Sequence, residues 1–186
     1  MLTRINKYII NDKILNGRDQ GKALREKILA HLEKEPVDII MPISFEHVDF
    51  MDYSLTDEML CKLIRRIISG ELGERYIVVE SLNESLKENI NVALKERELC
   101  CVYVKSDGKV EILGKLSTPL RETYEYAVEQ KKITTRDIFD VKKFNLENIS
   151  AASNRLTRLE KLGLLHNNKD EVVEGGGRQF VFEAIK

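Results

Sequence analysis

The strongest constraint on the fold is a change of rhythm along the chain. Up to about residue 116, short apolar β-branched runs alternate with segments of helical period. "INKYII" (5–10), "VDIIMPISF" (37–45) and "RYIVVESL" (75–82) have the composition of strands. Pro42 inside the second run predicts an edge strand or a bend. Between them, "GKALREKILAHL" sets Leu24, Ile28 and Leu32 four apart, with Leu29 beside them. From Ser54 to Ser69 the apolar positions are Leu55, Met59, Leu60, Leu63, Ile64, Ile67 and Ile68, again one helical stripe. "NESLKENINVALKERE" places Leu86, Ile90, Ala93 and Leu94 on one face. "ELCCVYVKSDGKVEILGKL" predicts two strands around a Ser106-Asp107-Gly108 turn. Such alternation predicts a layered α/β domain with a partly parallel sheet.

Beyond Ser117 the order is three helices and then a hairpin. "STPLRETYEYAVEQKK" opens with a hydroxyl cap and a proline. "TTRDIFDVKKF" predicts a shorter helix capped by Thr134 or Thr135. "NISAASNRLTRLEKLGLL" predicts a third, with Ile149, Ala152, Leu156, Leu159 and Leu162 inward and Gly163 closing it. "VV" (172–173) and "QFVFEAI" (179–185) predict strands around a turn at Gly175-Gly176-Gly177. We divide the chain into 1–116 and 117–186. Three helices followed by a hairpin are the order of a winged helix-turn-helix.

Charge excludes little but has a direction. The chain carries 30 Lys and Arg against 31 Asp and Glu, so there is no global basic signal. Residues 1–114 hold 17 Lys and Arg against 20 Asp and Glu, net −3; residues 115–186 hold 13 against 11, net +2. No apolar run approaches the roughly 20 residues that span a bilayer, and the first residues lack a signal-peptide core. These features predict a cytoplasmic chain without a membrane partner. The three cysteines, Cys61, Cys100 and Cys101, match no zinc spacing and are expected to be buried and reduced. No metal or cofactor motif is present.

In the second part, "SAASNRLTRLEKLGLL" resembles the recognition helix of winged helix regulators of the MarR type. Ser150 stands at the cap of that pattern and Leu159-Glu160-Lys161-Leu162-Gly163-Leu164-Leu165 at its exit. With Ala152, Leu156 and Leu159 inward, the outward set includes Ser153, Asn154, Thr157, Arg158 and Lys161. Small polar residues suit entry into a major groove. Asn154 suits adenine, Arg158 and Lys161 suit phosphates, and Arg178 takes the place of a wing arginine. A winged helix that docks protein rather than DNA is the alternative.

In the first part, "ISFEHVDFMDYSLTDEMLCKLI" resembles the STAS family, which includes the anti-sigma factor antagonists. Their strand-to-helix junction carries "D-[ST]-S-G-[LV]", whose second serine a partner kinase phosphorylates. Asp52 and Ser54 match; Tyr53 replaces the first hydroxyl and Leu55 the glycine. STAS-like domains of unknown function are closer: "DF…SFADEL" matches Asp49-Phe50 and Ser54–Met59, and "G-[RK]-x-LR" matches Gly21–Arg25. This resemblance implies a protein-docking domain with a histidine-kinase-like ATPase as partner class. Ser54 is expected to cap the helix in a Ser-x-x-Asp box with Asp57. Phosphorylation of Ser54, between Asp52 and Asp57, would add a switch.

The expected function is therefore a DNA-binding regulator, active as a homodimer, with a partner-switching adaptor as the alternative. An enzyme built on His47, Asp49 and Asp52 is the third reading, and a non-enzyme is expected.

Overall fold

A computed structural model of the chain describes residues 2–168 and 180–186. The chain has a mixed α/β fold with a parallel-rich sheet. It divides into two compact units, Leu2–Lys115 and Leu116–Ile185.

The first unit begins with three two-residue strands, β1 (Thr3–Arg4), β2 (Tyr8–Ile9) and β3 (Ile14–Leu15), and helix α1 (Arg18–Leu32). Strand β4 (Ile39–Ser44) and the short β5 (Phe50–Met51) follow. One continuous helix comes next, α-helical over Tyr53–Thr56 (α2), π-helical over Asp57–Cys61 (π1) and α-helical over Lys62–Ile68 (α3). Strand β6 (Arg75–Glu80), helix α4 (Glu84–Glu96) and strands β7 (Cys100–Val104) and β8 (Val110–Gly114) complete it. The sheet order is β1-β4-β6-β7-β8, with β2 also on β4. All pairs are parallel except the β7–β8 hairpin. α1 touches α2 and π1, and α4 touches the same two segments, so the connecting helices form one layer.

Pro42 does not mark an edge. β4 lies inside the sheet, and every residue from Ile39 to Ser44 is buried. Ile40 and Ser44 accept backbone bonds from Ile5 and Ile10, whereas Phe45 donates to Glu80 on the β6 side. Even positions of β4 therefore face β1 and β2. Pro42, which has no N–H, faces the gap between them. Within "INKYII" only Tyr8–Ile9 forms a strand, β2, and the gap separates it from β1 at Thr3–Arg4, just before that run.

The α4 face is as its period predicts: Leu86, Ile90, Ala93 and Leu94 are all fully buried. Asn83 caps that helix, accepting from Leu86 N at 2.9 Å. Gly114 ends β8 with φ +90°, and a Cβ there would collide with the Leu99 carbonyl, so only glycine fits. Cys61, Cys100 and Cys101 are buried. Burial pushes the Cys61 thiol up to about 12, helped by the Asp57 charge.

The second unit contains α5 (Thr118–Gln130), β9 (Lys132–Thr134), α6 (Thr135–Asp140), a 3-10 turn (Lys142–Phe144), α7 (Ile149–Lys161), β10 (Leu165–Asn168) and β11 (Val181–Ala184). β11 lies antiparallel between β10 and β9. β9 is a strand that the sequence pattern does not mark. Thr134 caps α6 in a reciprocal box: Asp137 N donates to Thr134 Oγ1 at 3.3 Å and Thr134 N to Asp137 Oδ2 at 2.7 Å. Tyr124 is buried in this core, and its hydroxyl donates to the Ile185 carbonyl at 2.6 Å. The expected turn at Gly175-Gly176-Gly177, the strand at Val172-Val173 and the wing residue Arg178 lie outside the described residues.

Candidate functional sites

The first site is the β5–α2 junction, and here the structure corrects the expected cap. The N-cap is Asp52, not Ser54. Asp52 Oδ1 accepts from Leu55 N at 2.7 Å, while Oδ2 accepts from Gly17 N at 2.9 Å. One carboxylate thus ties the N-cap residue of α1 to the first turn of α2. A hydroxyl two residues later cannot reach both donors. Ser54 is instead the second helical residue and is half-buried. The capping box with Asp57 does not form.

Asp57 has a different role. It is 4% exposed and sits in the π segment. Arg97 grips it with two bonds of 2.7 Å, Nε to Oδ1 and Nη2 to Oδ2. Arg18 Nη1 approaches Oδ2 at 3.3 Å. Arg97 and then Arg18 hold the Asp57 carboxyl below its usual range, against the opposing effect of burial. Its neighbour Glu58 is 6% exposed and meets Lys62 Nζ at 2.6 Å and Arg25 Nη1 at 2.7 Å. Arg25 also donates to the Glu58 carbonyl at 2.6 Å, an extra bond on the loosened π turn. Lys62 and Arg25 hold the Glu58 carboxyl at about 2.

The two carboxylates leave the helix in different directions, yet Arg18 lies within 3.6 Å of Glu58 and bridges them. Gly21 completes the seam. A Cβ there would lie 3.0 Å from Glu58 Cβ and 3.1 Å from the Leu55 carbonyl, so α1 can approach this closely only through glycine. The segments Gly21–Arg25 and Ser54–Met59, distant in the sequence, therefore meet. Arg18 and Arg97 belong to the same network but carry no local sequence signal, because each lies 39 or 40 residues from Asp57.

His47, Asp49 and Asp52 make separate contacts. His47 is exposed, with Nε2 3.4 Å from Glu46 Oε1. Asp49 is exposed and its backbone N–H donates to the Lys13 carbonyl. Asp52 holds the two helix starts. His31, in the last turn of α1, meets the Tyr8 ring edge-on at 5.6 Å.

The second site is the outer face of α7. Asn148, not Ser150, caps this helix, accepting from Ala151 N at 2.9 Å. Ala152, Leu156 and Leu159 are fully buried as their spacing requires. Ile149 departs from the stripe and is 48% exposed, since it falls in the first turn beyond the core. On the other side Ser153, Asn154, Arg158 and Lys161 are exposed and Thr157 is half-buried. Arg155 turns away from that set: its guanidinium lies over the Phe144 ring at 5.7 Å and reaches Thr123 Oγ1 at 3.5 Å. Lys142 and Lys143, in the turn before α7, are exposed cations the sequence reading did not single out.

No protein-family model matches this chain, and neither a curated protein nor a solved structure does. Among the described residues, no helix is long and apolar enough to cross a membrane.

Proposed function

We propose that the chain is a non-catalytic transcription regulator whose second unit binds DNA as a winged helix. The observation that carries this reading is the outer face of α7. It exposes Ser153, Asn154, Arg158 and Lys161 on a helix whose opposite face is buried. Asn154 supplies a bidentate partner for adenine, and the two cations supply phosphate contacts. The antiparallel strands β9, β10 and β11 beside α6 and α7 support the winged helix reading. With so few cations, one copy binds weakly, and a homodimer presenting two α7 helices is the active form.

The first unit is proposed as a STAS-like docking domain for a protein partner of the histidine-kinase-like ATPase class. The meeting of Gly21–Arg25 with Ser54–Met59 supports this, because the two segments that carry the resemblance form one seam. Ser54, half-buried beside the Asp52 cap, is the proposed modification site.

Selection from a random duplex pool at low salt tests the DNA reading. Retained duplexes should share a preferred base that Asn154→Ala relaxes, at a cost of roughly 1–3 kcal/mol. Retention of nothing would point to the adaptor reading.

A further inference from the structure

A cavity of 440 Å³ opens at the carboxyl ends of the parallel strands β6 and β7. Its wall includes Arg4, Glu80, Ser81, Tyr103, Lys105 and Ser106. Parallel α/β sheets characteristically take ligands at that end. The volume lies in the lower part of the roughly 300–1,000 Å³ range of small-molecule sites.

The charges in the wall alternate. Arg4 Nη2 is 2.9 Å from Glu80 Oε2, and Lys7, outside the wall, has its Nζ 3.8 Å from Glu80 Oε1. On the other side Lys105 is held by Glu111 at 2.9 Å. Glu80 is the more enclosed member of its pair, with 18% of its side chain exposed against 40% for Arg4. An inorganic dianion entering here would gain two cations but face Glu80. A simple amine would gain Glu80 but face Arg4 and Lys105. A molecule carrying both charges satisfies the whole wall.

The rim is held in place. Ser81 has φ +60°, a conformation that a serine rarely adopts and that costs of order 1–3 kcal/mol. Asn83, two residues on, caps α4 and donates to the carbonyls of Val48 and Asp49. The Tyr103 hydroxyl donates to the Leu82 carbonyl at 3.4 Å. Strain kept in place by such ties is a mark of sites shaped for a ligand.

We infer that this cavity binds a small zwitterion with the carboxylate–ammonium pair of a free α-amino acid. Its carboxylate rests on Arg4 and Lys105, its ammonium on Glu80, and the hydroxyls of Ser81 and Ser106 border it. The inference does not depend on DNA binding or on the partner class.

Thermal unfolding of the full chain with each α-amino acid tests it, at concentrations too low for a general solute effect. Acetate, methylamine and inorganic phosphate serve as controls. At least one amino acid should raise Tm by on the order of 5 °C at a large excess over its Kd, and the controls should not. Arg4→Gln should raise the Kd of that amino acid at least tenfold. Ser106 is exposed in the β7–β8 turn, so Ser106→Leu should leave the unliganded Tm in place and abolish the shift. Three results would overturn the inference: no amino acid moves Tm, phosphate alone reproduces the shift, or the shift survives Ser106→Leu.

Discussion

Asp52 is the residue on which the first unit turns. Its two oxygens serve Leu55 N and Gly17 N, so removing it frees two donors at once. Asp52→Ala should destabilise by about 2 kcal/mol, measured by denaturant unfolding. Ser54→Ala should stay within about 0.5 kcal/mol, because the hydroxyl caps nothing. Equal losses for the two would restore Ser54 as the cap. Gly21→Ala should cost about 1–3 kcal/mol as α1 is pushed from Glu58 and Leu55, an effect beyond any gain in helix propensity. The sequence made a hydroxyl at 54 conspicuous. What decides the cap is Gly17, 35 residues earlier, and no local pattern carries that contact.

At the scale of elements, the helical periods were legible because each sorts one stripe of a helix into the core. Leu86, Ile90, Ala93 and Leu94 did so, as did Ala152, Leu156 and Leu159. The π turn within 57–61 was not legible, since its apolar residues fit an α-helical period equally well. Nor was the place of Pro42, which depends on a gap in the neighbouring strands. The same turn carries the buried carboxylates and hence a pH dependence. Glu58 titrates at about 2 in the folded chain, below its ordinary 4.5. A carboxylate depressed in this way stabilises fully above its unfolded value and loses that contribution as pH falls through its folded one. Wild-type stability should therefore fall between about pH 4.5 and 2. Glu58→Gln should be less stable at neutral pH and should flatten that fall. A parallel decline in both proteins would remove Glu58 from the account.

For Arg97, whose two bonds hold Asp57 inside the helix layer, replacement by Met should destabilise the chain. Most of that loss is the penalty of leaving a buried carboxylate short of its partner. Lys62→Met should cost less, because Glu58 keeps Arg25 at 2.7 Å whereas Asp57 without Arg97 keeps only Arg18 at 3.3 Å. Urea titration of the two variants would rank them.

For the whole molecule, the change of rhythm near residue 116 divides the chemistry as well as the fold. The first unit holds the buried ion pairs and the strand-end cavity, and the second holds the exposed cationic helix. The proposed DNA function rests on that second unit, and ionic strength tests it most directly. Each phosphate contact releases counterions, so the logarithm of affinity should fall linearly with the logarithm of salt concentration. Fluorescence anisotropy of a labelled duplex, titrated with the full chain at several salt concentrations, reads that slope. We predict a steep negative slope for the wild type. In the Arg158→Ala, Lys161→Ala double variant, binding should be weaker for every duplex, and the slope should be shallower by about two per bound copy, one for each lost phosphate contact. An identical slope and affinity in wild type and variant, or no binding at the lowest salt, would contradict the account.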